Sequence, residues 1–516
     1  MIDQTGLVED RPAPSVEMGL RAANRAETRM LIDGALLESA SGEHFANVSP
    51  ATGLVLGSTT AATAADMDRA IAAARRAFDE TDWSTNKALR KRCLEQLQSA
   101  IEAEQEDLRE ELIAEVGCPV MTTQTAQLDW PLAEALRYPG RLIDEFGWER
   151  TLDGGGLFGD RNVRTVVKEA VGVVGAITPS NFPIEVILNK LGPALATGNT
   201  LILKPDPNTP WNATRLGRLI AEHTDIPAGV VNIVPTPSND VAARLGADPR
   251  VDMISFTGST GVGRALMRQG ADTMRRTFLE LGGKSALIVL DDANPAALVP
   301  SAVGVCVHAG QACASTTRML VHRSLFDDAV AGVTAVFAGV PVGDPVDPQT
   351  LVGPVITAAA KQKILDACAQ ARDSGAEITT GGGAYTDLPE HLRGGHFVAP
   401  TVIVGVDNSA PIAQQEIFGP VLVILPFDDD DQAVRMANDS AFGLAGAVLS
   451  RSTERGMSVA RRIRTGAVGV NGGMYYGADA PFGGYKHSGI GRQCGIEGFE
   501  QYLETKTIGV RMPRSK

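Results

Sequence analysis

The chain is poor in several things, and each shortage excludes something. Aromatic residues make up 5% of its 516 residues, and cysteine occurs six times. Cys93, Cys118, Cys306, Cys313, Cys368 and Cys494 form no C-x-x-C pair and no cluster with zinc-ligand spacing. No metal site and no disulfide framework are therefore expected. So few scattered thiols fit a reducing cytoplasm. Basic charge is also short: 47 Lys and Arg stand against 61 Asp and Glu, a net charge of −14. That excludes nucleic acid or an anionic membrane as a main partner, because no basic excess exists to neutralise phosphates. No uncharged apolar run reaches about 18 residues, so no transmembrane helix is expected. The first stretch lacks the apolar core of a signal peptide and carries early acids. Residues 1–28 read as a polar, partly mobile extension.

What remains is ordinary globular material, 44% apolar and 21% charged, too long for a single core. Residues 64–80 carry Met67, Ile71, Ala74 and Phe78 at helical spacing, and a longer helical tract spans 86–116. That tract stops at "VGCP", where Gly117 and Pro119 supply the usual ending. Buried-strand runs follow at 171–178, 200–204, 229–234 and 251–258, with helical tracts at 184–196, 211–223, 239–246 and 260–269. Strand–helix alternation of this kind means βαβ units and a parallel sheet covered on both faces. A second alternating set starts at 285–290. Its strands fall near 317–322, 399–405, 421–426, 444–449 and 467–471, and its helices near 296–309, 326–338 and 358–373. Two α/β domains are expected, with a seam near 280–285. The Gly-rich, then β-prone segment 150–170 reads as a protruding hairpin.

Several stretches carry chemistry. "HAGQACASTT" (308–317) surrounds Cys313 with small residues, which suits either a packed structural thiol or a sulfur that a substrate reaches. "SFTGSTGVGR" (255–264) follows a strand and opens a helix. Small residues there let backbone N–H groups approach a phosphate, or simply make a tight turn. It departs from G-x-G-x-x-G, and "LGGKS" departs from the Walker pattern because residue 278 is Phe, so ATP binding is rejected. In "FLELGGK", Glu280 reads either as an edge glutamate or as a partly desolvated general base. In "ITPSNFP", Asn181 is either a turn former or a donor for a developing oxyanion. His308 is either a dyad partner for Cys313 or a helix-end histidine.

Taken together and in order, "TPSNFP", "GPALATGNTLILKP", "FTGSTGVGR", "LELGGKS", "GQACAS", "EIFGPVL" and "PFGGYKHSGIGR" resemble the NAD(P)-dependent aldehyde dehydrogenase superfamily, over residues 30 to 508. The resemblance implies Cys313 as nucleophile, Glu280 as general base and Asn181 as oxyanion donor. It places Lys204 and Pro207 at the adenosine ribose, Gly258 and Ser259 at the pyrophosphate, and Val262 near the adenine. Ile177, Thr178, Pro179, Ser180, Leu281, Gly282, Glu416 and Phe418 complete the implied cofactor set. Val186, Asn189, Ala312, Ala314, Tyr476 and Phe482 match the substrate tunnel. They are mostly apolar and include no arginine to pair a substrate carboxylate. A neutral, hydrophobic aldehyde is the expected substrate.

The implied fold is a Rossmann-like cofactor domain (29–149 and 171–281), an α/β catalytic domain (282–475) and a small β oligomerisation arm (150–170 and 495–516). A homodimer or homotetramer is implied. Two departures stand out. Ser180 replaces the tryptophan usual before the catalytic asparagine and opens space there. Pro207 replaces the glutamate of many NAD-preferring members, so NAD is expected with NADP possible. A CoA-acylating relative would lack the base that Glu280 offers, and a catalytically retired structural member would lack the intact trio.

Overall fold

The computed structural model describes residues 13–155 and 161–512. Residues 1–12 of the expected extension, 156–160 of the expected hairpin and the last four residues lie outside them.

The larger sheet has eight strands in the order Gly489–Ile490, Arg276–Glu280, Met253–Thr257, Val173–Ile177, Thr200–Lys204, Val231–Ile233, Met30–Ile32 and Ala35–Leu37. Its five strands from Arg276–Glu280 to Val231–Ile233 run parallel. Thr200–Lys204 and Met253–Thr257 are buried along their whole length, as expected of strands covered on both faces. The chain lays Val173–Ile177 in the centre, extends one way through Thr200–Lys204 and Val231–Ile233, then returns to the other side with Met253–Thr257 and Arg276–Glu280. The order therefore reverses between Val173–Ile177 and Met253–Thr257. Ligands of open α/β sheets bind outside the C-terminal strand ends at such a switch.

Register fixes what gathers there. Thr257 pairs with Glu280, Phe256 with Ile177, and Ile177 with Lys204. Glu280 therefore ends a central-sheet strand that the sequence reading had not assigned.

The second sheet has seven strands, ordered Glu377–Thr380, Thr401–Val404, Val421–Phe427, Arg318–His322, Ala286–Val289, Ala445–Leu449 and Ala467–Val470. Its only antiparallel pair joins Glu377–Thr380 to Thr401–Val404. Strands Glu149–Gly155, Arg161–Ala170 and Leu503–Arg511 form a separate antiparallel sheet.

Three local expectations need correction. Residues 14–25 are a packed helix, not a mobile extension. Gly19 and Ala22 are buried, and Arg21 reaches Glu110 at 2.9 Å. The tract 86–116 is broken at Glu104, whose carboxylate is drawn to Arg218 (2.5 Å) and Arg215. It resumes as Gln105–Glu111 and ends in a π turn, Leu112–Val116. The helix expected over 296–309 stops at Val303. Beyond it His308, Ala309 and Gly310 adopt left-handed φ values of 51°, 52° and 71°. This tight reversal delivers the cysteine loop to the sheet edge.

Gly117 ends the π turn at φ 70°, and a Cβ there would fall 2.6 Å from Pro354 Cγ and 2.7 Å from Pro50 Cγ. Gly117→Ala should therefore lose at least the roughly 1–2 kcal/mol of a left-handed alanine. A denaturant midpoint equal to wild type would contradict this.

Candidate active site

Asn181 leaves the central strand Val173–Ile177 and precedes the helix Pro183–Ala196. Its Nδ2 donates to the Gln311 carbonyl at 2.7 Å, and its own carbonyl accepts from Gln127 Nε2 at 2.7 Å. The side chain is 8% exposed. The space opened by Ser180, which is half-buried, does not leave Asn181 loose, because these two bonds fix it from both sides. Gln127 was not visible as a site residue in the sequence. It is one glutamine in a run of short helical turns.

Cys313 lies two residues beyond Gln311 in a half-buried loop, with Ala312 and Ala314 half-buried beside it. The loop packs so closely that neighbouring glycines are obligatory. A Cβ on Gly310 would sit 2.1 Å from the Gly419 carbonyl oxygen, and one on Gly283 would sit 2.7 Å from the Cys313 carbonyl oxygen. The thiol and the Glu280 carboxyl act on each other, and Glu280 Oε1 is buried with no hydrogen-bond partner among the described residues. Burial, helped by the carboxyls of Glu280, Glu185 and Glu416, raises the thiol well above its ordinary range. Burial likewise pushes Glu280 up to about 8, against the pull of Lys190. Glu280 is thus a desolvated carboxyl at a strand end, not an edge residue. Thiol, amide and carboxyl converge at one point.

His308 is not a partner for this sulfur. It is buried, neither ring nitrogen has a partner among the described residues, and its ring packs edge-on against Phe182. Burial lowers it to about 4, so it stays neutral.

The residues expected to hold the cofactor gather around the C-terminal ends of the strands at the switch. Thr178 and Thr257, next to the two strands at the switch, carry buried hydroxyls without partners. Ile177, Pro179 and Ser180 line the same turn, each half-buried. Gly258 and Ser259 lead into the helix Thr260–Ala271, where the Ser259 side chain caps the Val262 N–H. Val262 is 48% exposed on this face. Lys204 ends its strand buried, with its ammonium pushed down by burial. The neighbouring Asp206 lies beyond the end of the strand Thr200–Lys204. It sits in a turn, accepting from the Asn208 N–H at 2.9 Å, and its charge acts on Lys204. Pro207 is half-buried in that turn. Glu416 comes from the second sheet side and accepts from the Gly283 N–H at 3.1 Å. A Cβ on Gly282 would meet its carboxyl at 2.1 Å, so the cradle exists only with glycine. Leu281 is buried, its N–H bonded to the Ser488 carbonyl at 2.9 Å. Phe418 turns its backbone at φ 61°.

The expected tunnel residues also gather here. Tyr476 and Phe482 meet edge-on with ring centres 5.1 Å apart, and Asn189 donates to the Tyr476 hydroxyl at 2.9 Å. Val186 is buried on the same helix. Two members were missed. Tyr475 is close enough to Cys313 for the sulfur to act on its phenol, which burial raises to about 12. Glu185 puts a carboxyl into a wall expected to be apolar. Among the described residues no group of three or more His, Cys, Asp or Glu could hold a metal ion, and no helix is long and apolar enough to cross a membrane.

Known proteins resemble the chain in sequence and fold. A family model described as the aldehyde dehydrogenase family matches residues 36–508. A 3-succinoylsemialdehyde-pyridine dehydrogenase of a Pseudomonas species is 39% identical, covering 92% of this chain and 97% of its own. The putative aldehyde dehydrogenase DhaS of Bacillus subtilis is 36% identical, covering 94% and 96%. Among solved structures, a betaine aldehyde dehydrogenase from Staphylococcus aureus in complex with NAD+ superposes with a TM-score of 0.91 at 34% identity, covering 95% of this chain and 96% of that one. A Mycobacterium tuberculosis aldehyde dehydrogenase complexed with NAD+ gives 0.88 at 37%, covering 95% and 99%. With the fold, the strand-end register and this match over most of its length, the chain belongs to the aldehyde dehydrogenase family.

Proposed function

We propose that the chain oxidises an aldehyde to its carboxylic acid with NAD as hydride acceptor, and that Cys313, Asn181 and Glu280 carry the chemistry. The observation behind this reading is the convergence of thiol, amide and carboxyl at the C-terminal edge of a parallel sheet. The residues around the strand ends fit NAD. Two unpartnered buried hydroxyls, a capped helix N-terminus and a glycine cradle under Glu416 offer donors, acceptors and room. Gly258 and Ser259 would hold the pyrophosphate, with Val262 near the adenine. Lys204 and Pro207 would meet the adenosine ribose. Ile177, Thr178, Pro179, Ser180, Leu281, Gly282, Glu416 and Phe418 would flank the nicotinamide half. When bound, NAD supplies the acceptor for a hydride leaving the carbon attached to Cys313.

The chain's own residues do the rest. The Cys313 thiol is protonated at rest and must lose its proton to attack. Ionised Glu280 is the group that takes it. Asn181 Nδ2 and the Cys313 backbone N–H stabilise the oxyanion of the thiohemiacetal. After hydride loss a thioester remains on Cys313. Glu280 releases the thiol's proton to solvent and, ionised again, removes a proton from water; the hydroxide attacks the thioester carbon, the C–S bond breaks, and the departing thiolate takes that proton back from Glu280 as the acid leaves. Glu280 thus favours hydrolysis over transfer to CoA.

The substrate we propose has a largely apolar body and no carboxylate. No arginine stands among the tunnel residues, and Glu185 offers an acid no cation to pair with. We also propose the division into cofactor domain (29–149, 171–281), catalytic domain (282–475) and arm (150–170, 495–516). The arm's strand Leu503–Arg511 leaves Ile508 and Val510 exposed at 47% and 54%, which supports pairing in a homodimer or homotetramer. Six free thiols support the cytoplasm as its place.

Cys313→Ala should abolish oxidation while NAD still binds; substantial turnover by that variant would remove the sulfur from the reaction. Glu280→Gln should release about one NADH per site and then stall, with deacylation slowed about 10²–10⁴-fold. Since Glu280 works only when ionised and burial raises it to about 8, wild-type deacylation should climb with pH and reach half its maximum near 8. Stopped-flow acyl-enzyme decay across pH checks this, and a flat profile contradicts it. For the cofactor, NAD should be preferred over NADP by about tenfold or less, since the missing carboxylate at Pro207 would be worth roughly 1.5–3 kcal/mol. Pro207→Glu should widen that ratio of kcat/KM. An unmoved ratio would place Pro207 away from the ribose.

A further inference from the structure

Glu185 and Asn189 stand one helical turn apart on Pro183–Ala196, the helix that Asn181 precedes, and Asn189 reaches the tunnel residue Tyr476. Glu185 is 8% exposed. The Tyr476 hydroxyl and Asn189 Nδ2, the latter at 2.5 Å, both donate to the same oxygen, Oε1. Among the described residues Oε2 accepts no hydrogen bond, and it is not sealed in the core. The carboxyl therefore presents one open oxygen beside the aromatic pair of Tyr476 and Phe482.

Buried carboxylates are normally paired with a cation. This one has none in contact among the described residues. Lys190 acts on it only at a distance, because its ammonium donates to Ser255 Oγ at 3.1 Å and lies over the Phe278 ring at 4.9 Å. Without a partner, burial pushes Glu185 up to about 8. The Glu185 carboxyl also acts on the Cys313 thiol, so the carboxyl and the sulfur belong to one electrostatic site. Glu185 lies in the first turn of the helix that Asn181 leads into. Aromatic rings beside a carboxylate suit an ammonium, which both attract.

We propose that Glu185 is a specificity residue of the aldehyde site, and that the preferred substrates are short aldehydes whose tail ends in an ammonium group seated on its open oxygen. This rests on the aldehyde-oxidising reading above and names its substrate class. The cation supplies the partner that the fold withholds. Asn189 and Tyr476 hold the carboxyl in place from the opposite side. A substrate carboxylate would oppose the ionisation of Glu185, and a purely apolar tail would leave it unpaired.

The test compares 3-aminopropanal with butanal, nearly equal in size and different in charge, by kcat/KM with NAD. Wild type should favour 3-aminopropanal by about tenfold or more, mainly through KM. In Glu185→Gln and Glu185→Leu the ratio should fall by about tenfold or more, with Leu reversing it. Equal kcat/KM in the wild type, with both aldehydes oxidised, overturns the assignment and leaves the aldehyde reaction standing. Oxidation of neither overturns both. A ratio unchanged in the folded variants also overturns the assignment. Should the variants fail to fold, the wild type still decides. The n-propylammonium ion should compete with butanal at concentrations where 1-butanol does not, and absence of that competition sinks the proposal.

Discussion

The hydrogen bond from Asn181 Nδ2 to the Gln311 carbonyl ties the oxyanion donor to the cysteine loop. Asn181 belongs to the eight-stranded sheet, and Gln311 belongs to the loop that the seven-stranded sheet receives at Arg318–His322. The bond is worth only about 1 kcal/mol in stability. Its value is geometric, because the same amide keeps one N–H toward the sulfur loop and leaves the other for an oxyanion. Gln311 is itself anchored, its Oε1 accepting from the Ile356 N–H at 2.9 Å. The glycines at 283 and 310 permit the backbone approach that lets this bond form. If either gained a side chain, Cys313 would move before any catalytic group was touched.

The site is electrostatically expensive. Glu185, Glu280 and Glu416 all have carboxyls raised by burial, and all three act on the Cys313 thiol. The nearby ammonium groups of Lys190 and Lys284 are also desolvated, each lowered to about 7. A fold selected for stability alone would pair or replace these groups. Keeping them unpaired means that the free protein holds protons it can release and charges that a ligand can complete. Pairing then happens when substrate arrives, so part of the cost of burial becomes a source of discrimination.

Much of this was legible in the sequence for definite reasons. Long buried strands such as Thr200–Lys204 and Met253–Thr257 are continuous apolar runs bounded by turns, and their positions hold within a residue or two. The strand Arg276–Glu280 escaped because "RTFLE" starts with Arg276 and Thr277 and ends on a glutamate, which breaks the apolar run. The short pairs Met30–Ile32 with Ala35–Leu37, and His44–Val48 with Val55–Thr60, are too brief or too polar for periodicity to register. The break at Glu104 depends on Arg215 and Arg218, more than a hundred residues away, so no local pattern carries it.

The same distinction separates the site residues that motifs reveal from those they hide. Cys313, Glu280 and Asn181 sit in glycine- and proline-rich stretches, where tight backbone geometry leaves a mark on the sequence. Gln127 and Glu185 sit in helical segments, where any polar residue passes for a solvated face. Glu185 is flanked by Ile184 and Val186, and only its bonds to Asn189 and Tyr476 show that it looks into the tunnel. A polar residue inside a helix that is buried on every side cannot be facing water. "PIEVILNKLGPALA" is such a helix, with every residue from Pro183 to Ala196 buried. Its Glu185, Asn189 and Lys190 must therefore each answer to a partner within the protein or its ligands. Asn189 and Lys190 find theirs in Tyr476 and Ser255, and Glu185 is the one whose second oxygen still lacks a donor.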